Sequence, residues 1–178
     1  MTKVIDNSRK YDGYIKVDKV TVEHKSKQFS LERIERGHSV ALLIVDTNTG
    51  ECLLTSQFRP AVMDEMEGPV AGMIDEGETP EEAIVRECKE ETGIEIEQDN
   101  LIYLGTHYLS AGILTEKTSC YVIFMSLKSV EDHYEVNNAG ENEYITVIKR
   151  SMLDLLHQDN KQASLSLCLS GALLELSK

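Results

Sequence analysis

The residues of this chain best able to do chemistry lie between Gly72 and Ile94, in the run GMIDEGETPEEAIVRECKEETGI. Glu87 and Glu91 are one helical turn apart, because a helix advances about 100° per residue. Glu90 falls beside them and follows Arg86 at a spacing that lets the two pair. Like charges so close repel, and crowding raises carboxylate pKa values unless a cation sits among them. Oxygen ligands in this arrangement suit Mg²⁺, with Mn²⁺ as a substitute, since both take carboxylates together with waters and substrate phosphates. The spacing therefore predicts metal-assisted chemistry on a phosphate.

The carboxylates share a face only if a helix carries them, and the local signals for one are complete. Thr79 is an N-cap, Pro80 sits where a first-turn proline is tolerated, and Glu82 completes a capping box with Thr79. Glu81 and Glu82 complement the positive end of the helix dipole. Ala83, Ile84 and Cys88 supply an apolar stripe, and Gly93 supplies a left-handed stop. A solvated acidic face, the usual meaning of a charge run, requires neither the flanking glycines nor Arg86 at its spacing.

Along the chain the order is α/β, with no linker, repeat or low-complexity stretch. Tyr14 to Val22 and Gln28 to Arg36 alternate like strands. Ser39 to Asp46 and Cys52 to Phe58 flank the turn signal Thr47-Asn48-Thr49-Gly50 and predict a hairpin. Pro69 to Met73 leads into the acidic helix, and Leu101 to Tyr108 and Thr118 to Met125 are further apolar, β-rich runs. Ser151 to Gln158 and Gln162 to Ser177 read as amphipathic helices, with Ala163, Leu165, Leu167, Leu169 and Leu173 to Leu176 partly buried. His38 is expected to pack in an apolar approach, and Tyr11, Tyr14 and Phe29 to join the core. A mixed sheet covered by helices on both sides follows from this order.

With 178 residues the chain is long enough for one well-buried core and short for two. Its 41% apolar and 28% charged content is that of an ordinary soluble globule. No run approaches the roughly 18 apolar residues of a membrane span, and the start MTKVIDNSRKYDG lacks the apolar core of a signal peptide. Cys52, Cys88, Cys120 and Cys168 show no metal-type spacing and read as reduced, buried thiols of a cytoplasmic protein. A net charge of −13 argues against nucleic acid, whose binding depends on lysine and arginine meeting phosphates. It does not exclude a small phosphate ligand, because a bound divalent cation inverts the sign of charge locally.

Gly72, Glu78, Arg86-Glu87, Glu90-Glu91 and Thr92-Gly93-Ile94 at these spacings resemble a complete Nudix box, with Cys88 where that family usually has a larger aliphatic residue or alanine. Glu35 to Arg59, GPVAGMIDEGE, Leu109 to Glu116 and Gly140 to Val147 resemble, in order, the ADP-ribose pyrophosphatase and nucleoside-diphosphate-sugar hydrolase branch. One departure is Ser110-Ala111-Gly112, where this branch commonly has Ser-Pro-Gly. The resemblance implies a Nudix α/β/α sandwich with a mixed sheet and an N-terminal antiparallel strand arm. Residues 1–36 would be that arm, serving dimerisation and substrate contact, and residues 37–178 the hydrolase domain.

By the same resemblance Glu87 and Glu91 are the principal metal ligands with the backbone carbonyl of Ala71, and Glu90 is a further ligand or the group that Arg86 orients. Glu141 is the base, unless it is an ordinary surface glutamate, and Glu143 is a possible extra ligand. Arg59 is the candidate for a phosphate oxygen, its planar fork being suited to that contact. Arg33 and Arg36 meet the nucleotide or are surface cations, Glu116 faces the sugar side, and Phe29 is a minor candidate for base contact in a homodimer. The implied reaction is Mg²⁺-dependent hydrolysis of ADP-ribose to AMP and ribose 5-phosphate. GDP-mannose or UDP-sugar cleavage is the alternative, followed by hydrolysis of oxidised nucleoside triphosphates. A non-catalytic nucleotide-sugar sensor is the reading from another class, although such domains typically lose a box carboxylate.

Overall fold

The computed structural model describes residues 1–138, 143–159 and 162–178, the side chains of 138 and 143 excepted. It divides into two compact units, residues 1–38 with 108–117 and residues 39–107 with 118–178.

The second unit is built around β4 (Ser39–Asp46), which is buried along its whole length. Its residues alternate between two faces, as a strand dictates. Val40, Leu42 and Ile44 join one core cluster with Ala83, Ile84 and Cys88, whereas Ala41, Leu43 and Val45 join another with Leu165, Cys168 and Leu169. The strand runs antiparallel to β5 (Glu51–Arg59) and parallel to β9 (Thr118–Phe124). β7 (Val70–Met73) pairs with the first half of β4, and β6 (Asp64–Gly68) pairs with β5. β8 (Ile102–His107) closes one edge, while β10 (His133–Asn138) and β11 (Glu143–Ser151) extend the other beyond β5. Helix α1 (Pro80–Thr92) covers one face of this mixed sheet, and α2 (Met152–His157) and α3 (Ala163–Leu176) cover the other. The expected α/β/α sandwich is what the chain forms.

One detail differs from expectation. In α3 the buried stripe is Leu165, Cys168, Leu169 and Ala172, so Ala163 and the final leucines Leu173, Leu174 and Leu176 are exposed. The helix outruns the surface it packs on. All four cysteines are buried free thiols, and burial pushes Cys52 up to about 12 and Cys88 up to about 11. No helix among the described residues is long and apolar enough to cross a membrane.

The first unit is a three-stranded antiparallel sheet of β1 (Thr2–Asp12), β2 (Lys16–His24) and β3 (Lys27–Glu35). Lys25 and Ser26 both have positive φ and form the two-residue turn between β2 and β3, the geometry that matches strand twist. Asp18 is buried and accepts one hydrogen bond from the Arg9 Nε, and the same guanidinium reaches Glu35 at 2.6 Å. Tyr11, Tyr14 and Phe29 are not core residues but exposed ones; Tyr14, 94% exposed, lies in the turn between β1 and β2, where no strand neighbour covers its ring. His38 is likewise exposed rather than packed, at the end of the segment leading out of β3.

Candidate active site

Helix α1 starts and stops where its local signals place it. Thr79 is extended, its hydroxyl accepts from the Glu82 N–H at 3.2 Å, and Glu82 returns the bond to the Thr79 N–H at 2.8 Å. Gly93 ends the helix in the left-handed conformation at φ 72°, where a side chain would be strained. Fully buried Ala83, Ile84 and Cys88 fix the rotation of the helix on the sheet.

Arg86 then becomes the hub of the acidic residues. Its Nε and Nη2 donate to the two oxygens of Glu78 at 2.9 and 3.0 Å. Nη1 donates to Glu87 at 2.8 Å and Glu90 at 3.0 Å, and Nη2 also reaches the Met73 carbonyl at 3.0 Å. A guanidinium has five N–H donors, so all are occupied. The hydrogen bonds from Arg86 hold the Glu78 carboxyl well below its ordinary 4.5, at about 2, and the Arg86 guanidinium is raised in turn, chiefly by Glu78. A carboxylate whose pKa falls on folding stabilises the protein above its unfolded pKa and loses that contribution as pH drops through the folded value. Wild-type stability is therefore expected to fall more steeply between pH 4.5 and about 2 than that of Glu78→Gln. Denaturant midpoints across that range check it; parallel curves would remove the ion pair from the acid response.

Glu87 and Glu91 both face β7. Glu91 is only 7% exposed, and its Oε2 accepts from the Ala71 N–H at 3.1 Å. Glu87 lies over Gly72 so closely that a Cβ built there would stand 1.9 Å from its carboxyl carbon. Gly72 is needed for that space and not for its backbone, which avoids the left-handed region. Gly72→Ala is expected to displace Glu87 and reduce turnover by at least about tenfold, since displacements near 1 Å cost even more when they move reacting groups. Kinetics with a parallel melting curve test it, and near wild-type turnover would mean that the Glu87 position is immaterial.

These oxygens suit a hard divalent cation. Among the described residues no three His, Cys, Asp or Glu side chains converge to hold a metal alone; Arg86 bonds Glu87 and Glu90, and Glu91 accepts from the Ala71 N–H. A small octahedral ion needs no more than one or two carboxylates when waters and substrate phosphates complete its shell. The bare strand at Gly72 leaves the Glu87 carboxylate room beside the backbone. Glu141 lies outside the described residues, and so does the Glu143 side chain at the start of β11.

The remaining predicted residues fall in two places. Arg59 is the last residue of β5, half-buried and paired in register with Asp64, and among the described residues it forms no ion pair. Phe29, Arg33, Arg36 and Glu116 belong to the strand-arm unit. Arg36 Nε meets Glu116 Oε2 at 3.3 Å, and the Arg36 N–H donates to the Thr115 hydroxyl. Arg33 stands 3.5 Å from Asp18 and lines a cleft of about 360 Å³ with Leu31, Tyr108 and residues 111–115. Two backbone partners, the Met73 carbonyl and the Ala71 N–H, had no signal in the sequence, because main-chain atoms are the same at every position.

Residues 35–165 match the family model described as the NUDIX domain. An ADP-ribose pyrophosphatase of Escherichia coli (strain K12) is 28% identical over 159 residues, covering 83% of this chain and 75% of that protein. A GDP-mannose pyrophosphatase of Yersinia pestis (strain Pestoides F) is 30% identical over 147 residues, covering 78% of this chain and 70% of that one. Among solved structures an ADP compounds hydrolase superposes with a TM-score of 0.75 at 20% identity, over 99% of this chain and 94% of its own. Because the family match takes in α1 and every strand from β4 to β11, this chain belongs to the Nudix family.

Proposed function

We propose that the chain hydrolyses the pyrophosphate bond of a nucleoside diphosphate sugar, with ADP-ribose, cleaved to AMP and ribose 5-phosphate, as the leading substrate. The observation that carries the reaction class is the arginine-bridged carboxylate set of α1, seated against a strand stripped of side chain at Gly72. The substrate class draws on the relatives, named as ADP-ribose and GDP-mannose pyrophosphatases.

Mg²⁺ would be held by Glu87, Glu91 and the Ala71 carbonyl, with Glu90 and Glu143 as further ligands. The chemistry it supplies when bound is neutralisation of diphosphate charge and acidification of an attacking water. Arg86 keeps Glu87 and Glu90 in place against their mutual repulsion. Glu141 is the base that takes the proton of the water, a task that demands hydrogen-bond reach. Arg59 binds a phosphate oxygen through its planar fork. Arg33, Arg36 and Glu116 serve the nucleoside and sugar end, with Phe29 as a base contact, and residues 1–36 support a homodimer. The protein acts in the cytoplasm, where its buried thiols remain reduced.

A second reading, preference for GDP-mannose, is favoured by Ala111 between Ser110 and Gly112 and by the Yersinia pestis relative. The test is a hydrolysis panel of ADP-ribose, ADP-glucose, GDP-mannose, UDP-glucose, NADH and 8-oxo-dGTP with Mg²⁺ and with EDTA. Chelator-sensitive AMP release from ADP-ribose supports the first reading, and GMP release from GDP-mannose the second. Absence of metal-dependent nucleoside monophosphate from every member of the panel would refute the enzyme reading and leave the binding-only one to be tested by calorimetry.

A further inference from the structure

The last turn of α1 is fastened from outside by a side chain that is not one of the acidic residues or Arg86. The final carbonyls of a helix have no partner within it and must find one elsewhere. Here the Gly93 N–H donates to the Lys89 carbonyl at 2.9 Å, and the Tyr134 hydroxyl donates to the Thr92 carbonyl at 2.7 Å. Tyr134 comes from β10, and its half-buried ring packs against the cluster that holds Ile84 and Cys88. Thr92 is itself buried, with its hydroxyl donating to the Cys88 carbonyl. At the other end of the helix the Tyr121 hydroxyl, from β9, donates to Glu81 at 2.7 Å. Two strands thus hold one helix by its opposite ends, and the Tyr134 end adjoins Glu90 and Glu91.

We infer that Tyr134 is a positioning residue: its hydroxyl sets the seat of the last turn of α1, and with it the place where Glu90 and Glu91 meet a divalent cation. This rests on the reading that α1 binds metal. Glu91 is held at its carboxylate by the Ala71 N–H of β7 and, through the adjoining Thr92 carbonyl, by Tyr134 of β10. Removing the second anchor leaves a carbonyl without its partner, and the turn relaxes to satisfy it. Ligand sets tolerate displacements of only about 0.5 Å before they lose effect.

Tyr134→Phe keeps the ring and removes only the hydroxyl. Mn²⁺ binding, followed by the electron paramagnetic resonance signal of the free ion, is expected to weaken about 10-fold, the low end for partners outside the ligand shell. The metal concentration for half-maximal turnover rises by the same factor, while KM for the nucleotide sugar at saturating metal stays unchanged. Tyr121→Phe breaks the corresponding bond at the end remote from Glu90 and Glu91, and is expected to lower Tm but keep Mn²⁺ affinity within about twofold. Unchanged affinity in Tyr134→Phe, or equal losses in both variants, would overturn the positioning role. Wild-type protein gives a second reading that needs no variant: Mn²⁺ should slow amide hydrogen exchange in β10 around Tyr134 as well as at Glu90 to Gly93, and an unresponsive β10 would also overturn it. A wild-type protein that bound no Mn²⁺ would instead overturn the metal reading, and this inference with it.

Discussion

Glu91→Gln is expected to fold normally and to lose about 10³-fold in kcat, the scale on which loss of one group that stabilises the transition state electrostatically, here by holding the metal, is felt. The substitution is nearly isosteric. Its amide oxygen can still accept the Ala71 N–H that Glu91 now binds at 3.1 Å, so the packing of a side chain only 7% exposed is retained. What disappears is the negative charge. A buried carboxylate is costly unless compensated, so the variant without metal should melt no lower than wild type. The two proteins should then differ most in the presence of Mg²⁺, which stabilises whichever one binds it by mass action. Kinetics on the preferred nucleotide sugar, with melting curves in Mg²⁺ and in EDTA, measure both parts. Turnover within tenfold of wild type would exclude Glu91 as a ligand.

Arg86→Ala should produce the largest loss of stability of any single change at the site, about 2–3 kcal/mol, or about 5–10 °C in Tm for a domain of this size. One guanidinium satisfies Glu78, Glu87, Glu90 and the Met73 carbonyl together. Without it, carboxylates on one face repel, and the Met73 carbonyl loses a donor. The loss falls short of that for a fully buried ion pair because the Arg86 side chain is 27% exposed and water screens part of the repulsion. Lysine should not restore the site, since a single ammonium lacks the planar fork that binds both oxygens of Glu78 at once. Added Mg²⁺ should recover part of the lost Tm by replacing the missing positive charge. A variant as stable as wild type would mean that the ion pairs contribute nothing net, as many exposed ones do.

What a sequence reveals of its fold depends on how far apart in the chain the interacting partners stand. The helix α1 was readable to its caps because every signal is local: Thr79 with Glu82, Pro80 in the first turn, Gly93 at the end, and Arg86 beside Glu90. The hairpin of β4 and β5 was readable for the same reason, through alternation and the turn between them. β6, β10 and β11 are strands beyond those expected, and β1 is anticipated only as part of the arm over residues 1–36. β1 is polar and almost wholly exposed, and β6 is short and carries acidic residues, so neither shows the apolar run of a buried strand. Tyr11, Tyr14 and Phe29 are exposed against expectation because ring size makes burial favourable without saying whether the fold supplies a surface to bury it on.

At the site the division is the same. The sequence alone determined which carboxylates share a helical face, that a cation stands among them, and that a glycine precedes them. Tertiary structure decided that Gly72 makes room for Glu87, that Glu91 turns to the Ala71 N–H, and that Met73 and Tyr134 supply partners to α1. Those contacts join residues brought together only by strand order and by the packing of α1 on β4 and β7. Helical spacing is a property of the chain, whereas the place of a strand beside a helix is a property of the folded core.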